Sequence, residues 1–381
     1  MIRIRTVVVA SCIALVSAPI FACLWDYDTL AMERRQFPAA LELITGKFLR
    51  HSKSFYQWRV EDRKKKVDGG SNDPKDYDDL SVAYEKVGDT KKAIEIAHKS
   101  NDKFPDRYET LANLGTFYIH DGQLAAGIEQ IDKAIAINPN AHFGREIYQK
   151  LLVQYVLECQ VGGKTVLPLS SSPNAEKYGA GFYSFLKQNH FKTDDYKKLQ
   201  QETEKAIQGI LGMMRFGNYD SPVLLEALGD LLAPGYVEPG AKRTATRAYL
   251  KASYEVDDPK VKQAYFRKAQ SAIKMQTINE NSSDQIKLST VEATFKKEIE
   301  DAEAWYAKVK QDETNWVENG KNPEEEFAAK YYAEPVILEN EPNGETPPLV
   351  FWLTVIGISL GVIGLGCTAL ILVRSRQSAT T

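Results

Sequence analysis

The chain has 381 residues, 43% of them hydrophobic and 26% charged, with a net charge of −3. This composition is ordinary for a folded domain, and several hundred residues can bury a sizeable core. The near-neutral balance removes the electrostatic basis for a nucleic-acid partner.

The chain opens with the basic stretch Met1–Arg5 and the apolar run Thr6–Phe21. That run is too short to span a bilayer comfortably and suits a secretory signal, so residues 1–22 read as a signal peptide cleaved after Ala22. An uncleaved anchor is the alternative, because Ile20 is an imperfect residue three positions before the cut. Residues 23–73 are expected to be helical and to pack on the element that follows. Their aromatics, among them Phe55, Tyr56 and Trp58, read as core and not as a ligand cage. The cluster Arg63-Lys64-Lys65-Lys66 reads as the solvated C-terminal end of a helix.

Residues 74–107 repeat in residues 108–141. Leu80, Tyr84, Gly88, Ile94 and Pro105 return 34 positions later as Leu114, Tyr118, Gly122, Ile128 and Pro139. Leu111, Leu114, Tyr118 and Ile119 share one helical face, and Gly122 breaks the helix where a left-handed residue is wanted. Leu124, Ile128, Ile131, Ala134 and Ile135 then form a second stripe. Gly127 and Ala134 stand where two helix backbones must approach closely, and Pro139 ends the unit. Such hairpins cannot bury their apolar stripes alone and stack.

This pattern resembles the tetratricopeptide repeat (TPR), carried by Leu111-Ala112-Asn113-Leu114-Gly115-Thr116-Phe117-Tyr118 and by Tyr77-Asp78-Asp79-Leu80-Ser81-Val82-Ala83-Tyr84. The resemblance implies an all-α, helical hairpin solenoid. It also implies a partner-binding groove lined by Lys75, Asp78, Val82 and Glu85 in the first unit and by Glu109, Ala112, Asn113, Thr116 and His120 in the second. The TPR variety that grips a carboxylate terminus has lysine where Asp78 stands and asparagine where Val82 stands. The groove is therefore expected to prefer a neutral or basic segment. Residues 141–158 are expected to form a closing helix, completing a repeat region over residues 74–158.

Residues 159–221 read as an irregular and helical insert, with Gly162-Gly163, Pro168 and Ser170-Ser171-Ser172-Pro173 near its start. Residues 222–275 carry a degenerate repeat. Ser221-Pro222 caps Leu225–Leu232, Ala245, Tyr249 and Ala252 mark its partner helix, and Lys260–Lys274 closes it. In residues 276–348, a capping box at Ser289 and Glu292 starts a long charged helix through Val291, Phe295, Ile299, Ala302, Trp305 and Val309, and Asn340–Pro348 is a linker. Leu349–Val373 holds no charge and reads as a C-terminal transmembrane helix. Arg374 and Arg376 follow it, so residues 374–381 are expected to be cytoplasmic. The expected localisation is a single-pass cell-membrane protein whose large N-terminal region is extracytoplasmic, periplasmic in a bacterium. Cys23 and Cys159 are then open to pairing as a disulfide, with lipidation of Cys23 or two free thiols as alternatives.

Catalytic chemistry is not signposted. Gly162-Gly163-Lys164-Thr165 lacks both the first glycine of a phosphate-binding loop and a preceding strand, and reads as a turn. The five histidines are dispersed, so neither a metal site nor a cofactor is expected. Ser100-x2-Lys103 and Ser184-x2-Lys187 lack the companion motifs of serine-lysine enzymes. The expectation is a non-enzymatic, membrane-anchored scaffold that binds protein or peptide partners through its repeats. The alternatives are an enzyme or enzyme subunit with a site in residues 160–280, and a cell-envelope receptor for a peptide or glycan. A deep polar pocket with convergent titratable groups in residues 160–280 would favour the enzyme.

Overall fold

The computed structural model describes residues 39–139, 141–235, 237, 240–274 and 285–332. Among them the fold is all-α: no strand forms, and an isolated bridge joins Val161 and Lys164. Two compact units divide the chain after Glu326.

In the first unit the helices are α1 (Ala40–Thr45), α2 (Lys53–Asp68), α3 (Pro74–Val87), α4 (Thr90–Lys103), α5 (Tyr108–His120), α6 (Leu124–Ile137) and α7 (Arg145–Cys159). After a segment of short 3-10 turns come α8 (Phe182–Leu186), α9 (Tyr196–Phe216), α10 (Pro222–Leu232), α11 (Ala241–Tyr254), α12 (Pro259–Ile273) and the 31-residue α13 (Leu288–Glu318). Local chemistry sets most of the starts. Asp73, Asp89, Asp195, Ser221 and Asp258 each accept a first-turn amide, and proline follows three of them. Gly88 and Gly122 turn the chain between hairpin helices at φ of 99° and 80°.

Consecutive helices pack from α2 through α7, α9 joins α7 to α10, and α10, α11 and α12 follow in order. The first hairpin is α3 with α4 and the second α5 with α6, at the expected period. Gly115 and Gly127 mark the closest approach in the second. A Cβ on Gly127 would lie 2.9 Å from the Gly115 carbonyl oxygen and 2.5 Å from Ile119 Cγ1. The same positions in the first hairpin are Ser81 and Ala93, both buried. The closing helix forms as α7, behind a 3-10 turn at Ala141–Gly144.

The segment expected to be a degenerate repeat folds as a helical hairpin of α10 and α11, with α12 packed on α11. Residues 159–221 are less irregular than expected, because α9 is a 21-residue amphipathic helix that belongs to the main core with α7 and α10. The α13 helix starts one residue before Ser289. Lys287 is its N-cap, and Glu292 instead pairs with Lys296 at 2.8 Å, so no capping box forms. Arg63 also departs from the solvated reading. It is buried, and its guanidinium binds Asp79 at 2.9 Å and Glu324 at 2.6 Å. The second unit is described only through Phe327–Tyr332, where the Phe327 ring lies 4.9 Å from Tyr331 and 5.2 Å from Tyr332.

The membrane assignment is corrected: among the described residues no helix is long and apolar enough to cross a membrane. The helices with ample length are α9 and α13, and Lys197, Lys198, Glu202, Glu204 and Lys205 on the first and Lys296, Lys297, Glu298, Glu300 and Asp301 on the second forbid insertion. The expected transmembrane helix Leu349–Val373, the signal peptide 1–22, the linker Asn340–Pro348 and the tail 374–381 lie outside the described residues. A cell-membrane localisation therefore has no helix to rest on in the described fold and enters no further reading.

Candidate functional site

The groove residues do lie on the first helices of the two hairpins, but they do not form an open lining. Asp78, Val82, Ala112, Asn113 and Thr116 are buried. Asp78 accepts from Arg107 at 2.6 Å and from the Thr110 hydroxyl at 3.1 Å. Burial pushes its carboxyl up to about 6, against the pull of Arg107. Glu85 and His120 meet at 2.6 Å with side chains only 7% and 4% exposed. Gln149 of α7 donates to Thr116 Oγ1 at 3.0 Å. Lys86 donates to the Phe216 and Gly217 carbonyls at the end of α9, at 2.9 and 2.8 Å. The positions that the resemblance reserves for a partner are thus engaged mainly by contacts within and between the two hairpins, with α7 adding one at Thr116. Of the nine, only Lys75 is exposed, while Glu109 is half-buried and held by Arg107 at 3.1 Å.

A second polar constellation was not singled out from sequence. Helix α10 is apolar apart from Glu226 and Asp230, which are four residues apart and therefore share a face. Both are buried. Glu226 accepts the Leu169 amide at 2.8 Å, the Ser170 amide at 3.1 Å, the Ser170 hydroxyl at 2.8 Å and the Tyr265 hydroxyl at 3.0 Å. Asp230 accepts the Phe182 amide at 2.9 Å and the Tyr249 hydroxyl at 2.7 Å. Lys268 of α12 spans the pair, reaching Asp230 at 2.8 Å, Glu226 at 3.3 Å and the Ser170 hydroxyl at 2.7 Å.

Two glycines make this geometry possible. Gly181 sits at φ 62°, and a Cβ there would lie 2.0 Å from Asp230 Oδ2, so only glycine lets the Phe182 amide point at that carboxylate. At Gly229 a Cβ would fall 2.4 Å from Tyr249 Cε1. Its absence lets the Tyr249 ring cross α10 to reach Asp230.

Electrostatics define what the cluster can do. Burial raises the Asp230 carboxyl above its ordinary value, with Lys268 pulling the other way. Burial opposes the charge on Lys268, yet Asp230 and Glu226 outweigh it and hold the ammonium above the ordinary lysine range. A lysine held protonated cannot withdraw the Ser170 proton. The visible signal in the sequence was the pair of carboxylates inside an otherwise apolar helix, since such groups are rarely buried unpaired.

Beside the cluster lies a cleft of about 570 Å³ that Ser170, Asp230, Tyr249, Lys242 and Lys268 help to line. No group of metal-ligating side chains occurs among the described residues. The expected turn at Gly162-Gly163 is present, both glycines having positive φ between the bridged Val161 and Lys164. Cys159 is fully buried, and burial pushes its thiol up to about 12. Among the described residues it forms no disulfide, and its expected partner Cys23 lies outside them. Against known proteins, no family model matches the chain, so the tetratricopeptide resemblance gains no family-level support, and no curated protein is significantly similar to it.

Proposed function

We propose that this chain is a non-catalytic helical scaffold whose TPR-like hairpins build a rigid frame for binding a protein partner. The observation that carries the reading is the saturation of the buried Glu226–Asp230–Lys268 cluster. Every carboxylate oxygen of Glu226 and Asp230 has a donor within the chain, from residues 19 to 57 positions away in sequence. Such a set fastens elements together and leaves neither base nor nucleophile free. The hairpins at a 34-residue period add a stiff stack of the kind that binding scaffolds use. Most of the expected groove positions are buried within the fold, which favours a partner surface elsewhere on the frame.

The test is affinity recovery on the immobilised full chain, followed by titration of each purified candidate against it. Saturable, stoichiometric binding is the expected outcome. The enzymatic alternative draws on the 2.7 Å contact between Ser170 and Lys268 beside a cleft. Labelling of Ser170 by a fluorophosphonate, together with no saturable partner, would replace the scaffold reading with that one.

A further inference from the structure

A cleft of about 1330 Å³ opens where α11, α12 and the start of α13 meet. Its described lining includes Arg243, Arg267, Lys274 and Lys287 and no carboxylate. The 570 Å³ cleft shares Arg267 and Ser271 with it and adds Lys242 and Lys268, and its one described carboxylate, Asp230, is already held by Lys268. In a chain of net charge −3 this is a local inversion of sign. Lys242, Arg267, Lys274 and Lys287 form no ion pair among the described residues, although many other basic groups of the fold do.

The backbone adds to the same field. Helix α11 starts at Gly240 with no side-chain cap and no acidic residue in its first turn, where Lys242 and Arg243 stand instead. The positive end of the helix dipole therefore reinforces the cations. Like charges gathered in a concave site focus a positive potential and favour an anionic occupant.

The rest of the lining narrows its chemistry. Ile273, Ile286 and Leu288 interleave with the cations of the larger cleft, and Ala233, Pro234 and Ala272 with those of the smaller one. A free phosphate would leave this aliphatic surface unused. Nucleic acid would need an aromatic platform for its bases. Tyr249 is the aromatic residue of the described lining, and its face is taken by Lys268, 4.9 Å from the ring centroid. An extended segment with alternating acidic and aliphatic side chains uses both features. The combined volume also exceeds that of an ordinary small-molecule pocket.

We infer that this basic cleft is a docking site for an acidic, partly aliphatic peptide segment of a partner protein. The inference rests on the scaffold reading and names the surface through which it acts. Lys242 at the start of α11, Lys274 at the end of α12 and Lys287 before α13 hold the carboxylates, Arg267 bridges the two halves of the cleft, and Ile273, Ile286 and Leu288 take the aliphatic side chains.

The experiment uses the full chain and a fluorescein-labelled peptide of alternating glutamate and leucine, read by fluorescence anisotropy. Its glutamine counterpart, inorganic phosphate and oligothymidylate serve as competitors. Binding of the acidic peptide is expected to weaken at least about tenfold in the triple variant Arg267→Gln, Lys274→Gln, Lys287→Gln, and to weaken with added salt. These three positions are exposed, so folding is retained, and unchanged melting of the variant verifies it. Lys133→Gln, an exposed change on α6, should leave binding as it is. Equal binding of the glutamine peptide, or of the acidic peptide to the triple variant, overturns the proposal. Full displacement by phosphate at matched charge, or tighter binding of oligothymidylate, overturns it in favour of a simple anion or a nucleic acid. A partner recovered equally by wild type and triple variant removes this cleft but leaves the scaffold, whereas recovery of no partner at all removes the scaffold.

Discussion

Where α5 meets α6, two glycines face each other and the contact is made by backbone and aliphatic side chains. Where α10 meets α11, α12 and the segment before α8, the contact is made by two buried carboxylates, a lysine and two tyrosines. Both regions stack helices in hairpins, yet the first is held by shape and the second by hydrogen bonds that leave no partner optional. Shape tolerates one loose neighbour. A buried ionic network does not, because removing one member strands the rest. The difference predicts where substitutions will hurt most.

The largest effect should follow Lys268→Met. It leaves Glu226 and Asp230 buried without their cation and should cost about 3–5 kcal/mol in chemical denaturation. Adding Glu226→Gln and Asp230→Asn to it should return part of that loss, since the uncompensated charge is then gone. A loss below about 1 kcal/mol for Lys268→Met would mean that the network is not essential and the contrast between the regions fails.

In the shape-held region, Gly127→Ala should cost about 1–3 kcal/mol by overpacking, because the new methyl meets Ile119 and the Gly115 carbonyl. Ala134→Trp on the same helix should overpack similarly, Ala134 being fully buried. Thermal melting reads both. The equivalent position in the first hairpin already carries Ala93, so the cost belongs to the glycine pair and not to the repeat pattern as such.

A smaller effect is expected from pH. The Asp78 carboxyl stands at about 6 in the fold against an ordinary 3.8, so the native state holds this proton more tightly than the unfolded chain. Its contribution is fully present below 3.8 and is lost as pH rises through about 6. Asp78→Asn should therefore flatten stability across that window, by at most about 1.4 kcal/mol per pH unit. An unchanged slope would show that Arg107 keeps the carboxylate charged throughout.

The smallest effects should be the same in both regions. Ser221→Ala removes the cap of α10 and Asp89→Ala that of α4, and each should cost about 1 kcal/mol because capping is local. If Ser221→Ala proves far costlier, the cap is coupled to the polar network.

The helices and their starts were legible because they depend on neighbours in sequence. The 34-residue period, the glycine turns, the Ser221 cap and the closing helix α7 all follow from residues within one turn or one hairpin of each other. The start of α13 was misplaced at Ser289 because Glu292 finds a better partner in Lys296, a competition that spacing alone does not reveal. Arg63 was read as solvated because its partners Asp79 and Glu324 lie on other elements.

By itself the sequence determined an all-α chain with two equivalent hairpins and a third, looser one, since periodicity, caps and small-residue spacing are local chemistry. Tertiary structure alone decided that most groove positions are buried, that Glu226 and Asp230 meet Lys268, and that cations from α11, α12 and the start of α13 line two adjoining clefts. The physical reason is that burial and ion pairing depend on which distant side chains arrive together, and nothing in the local pattern encodes that meeting.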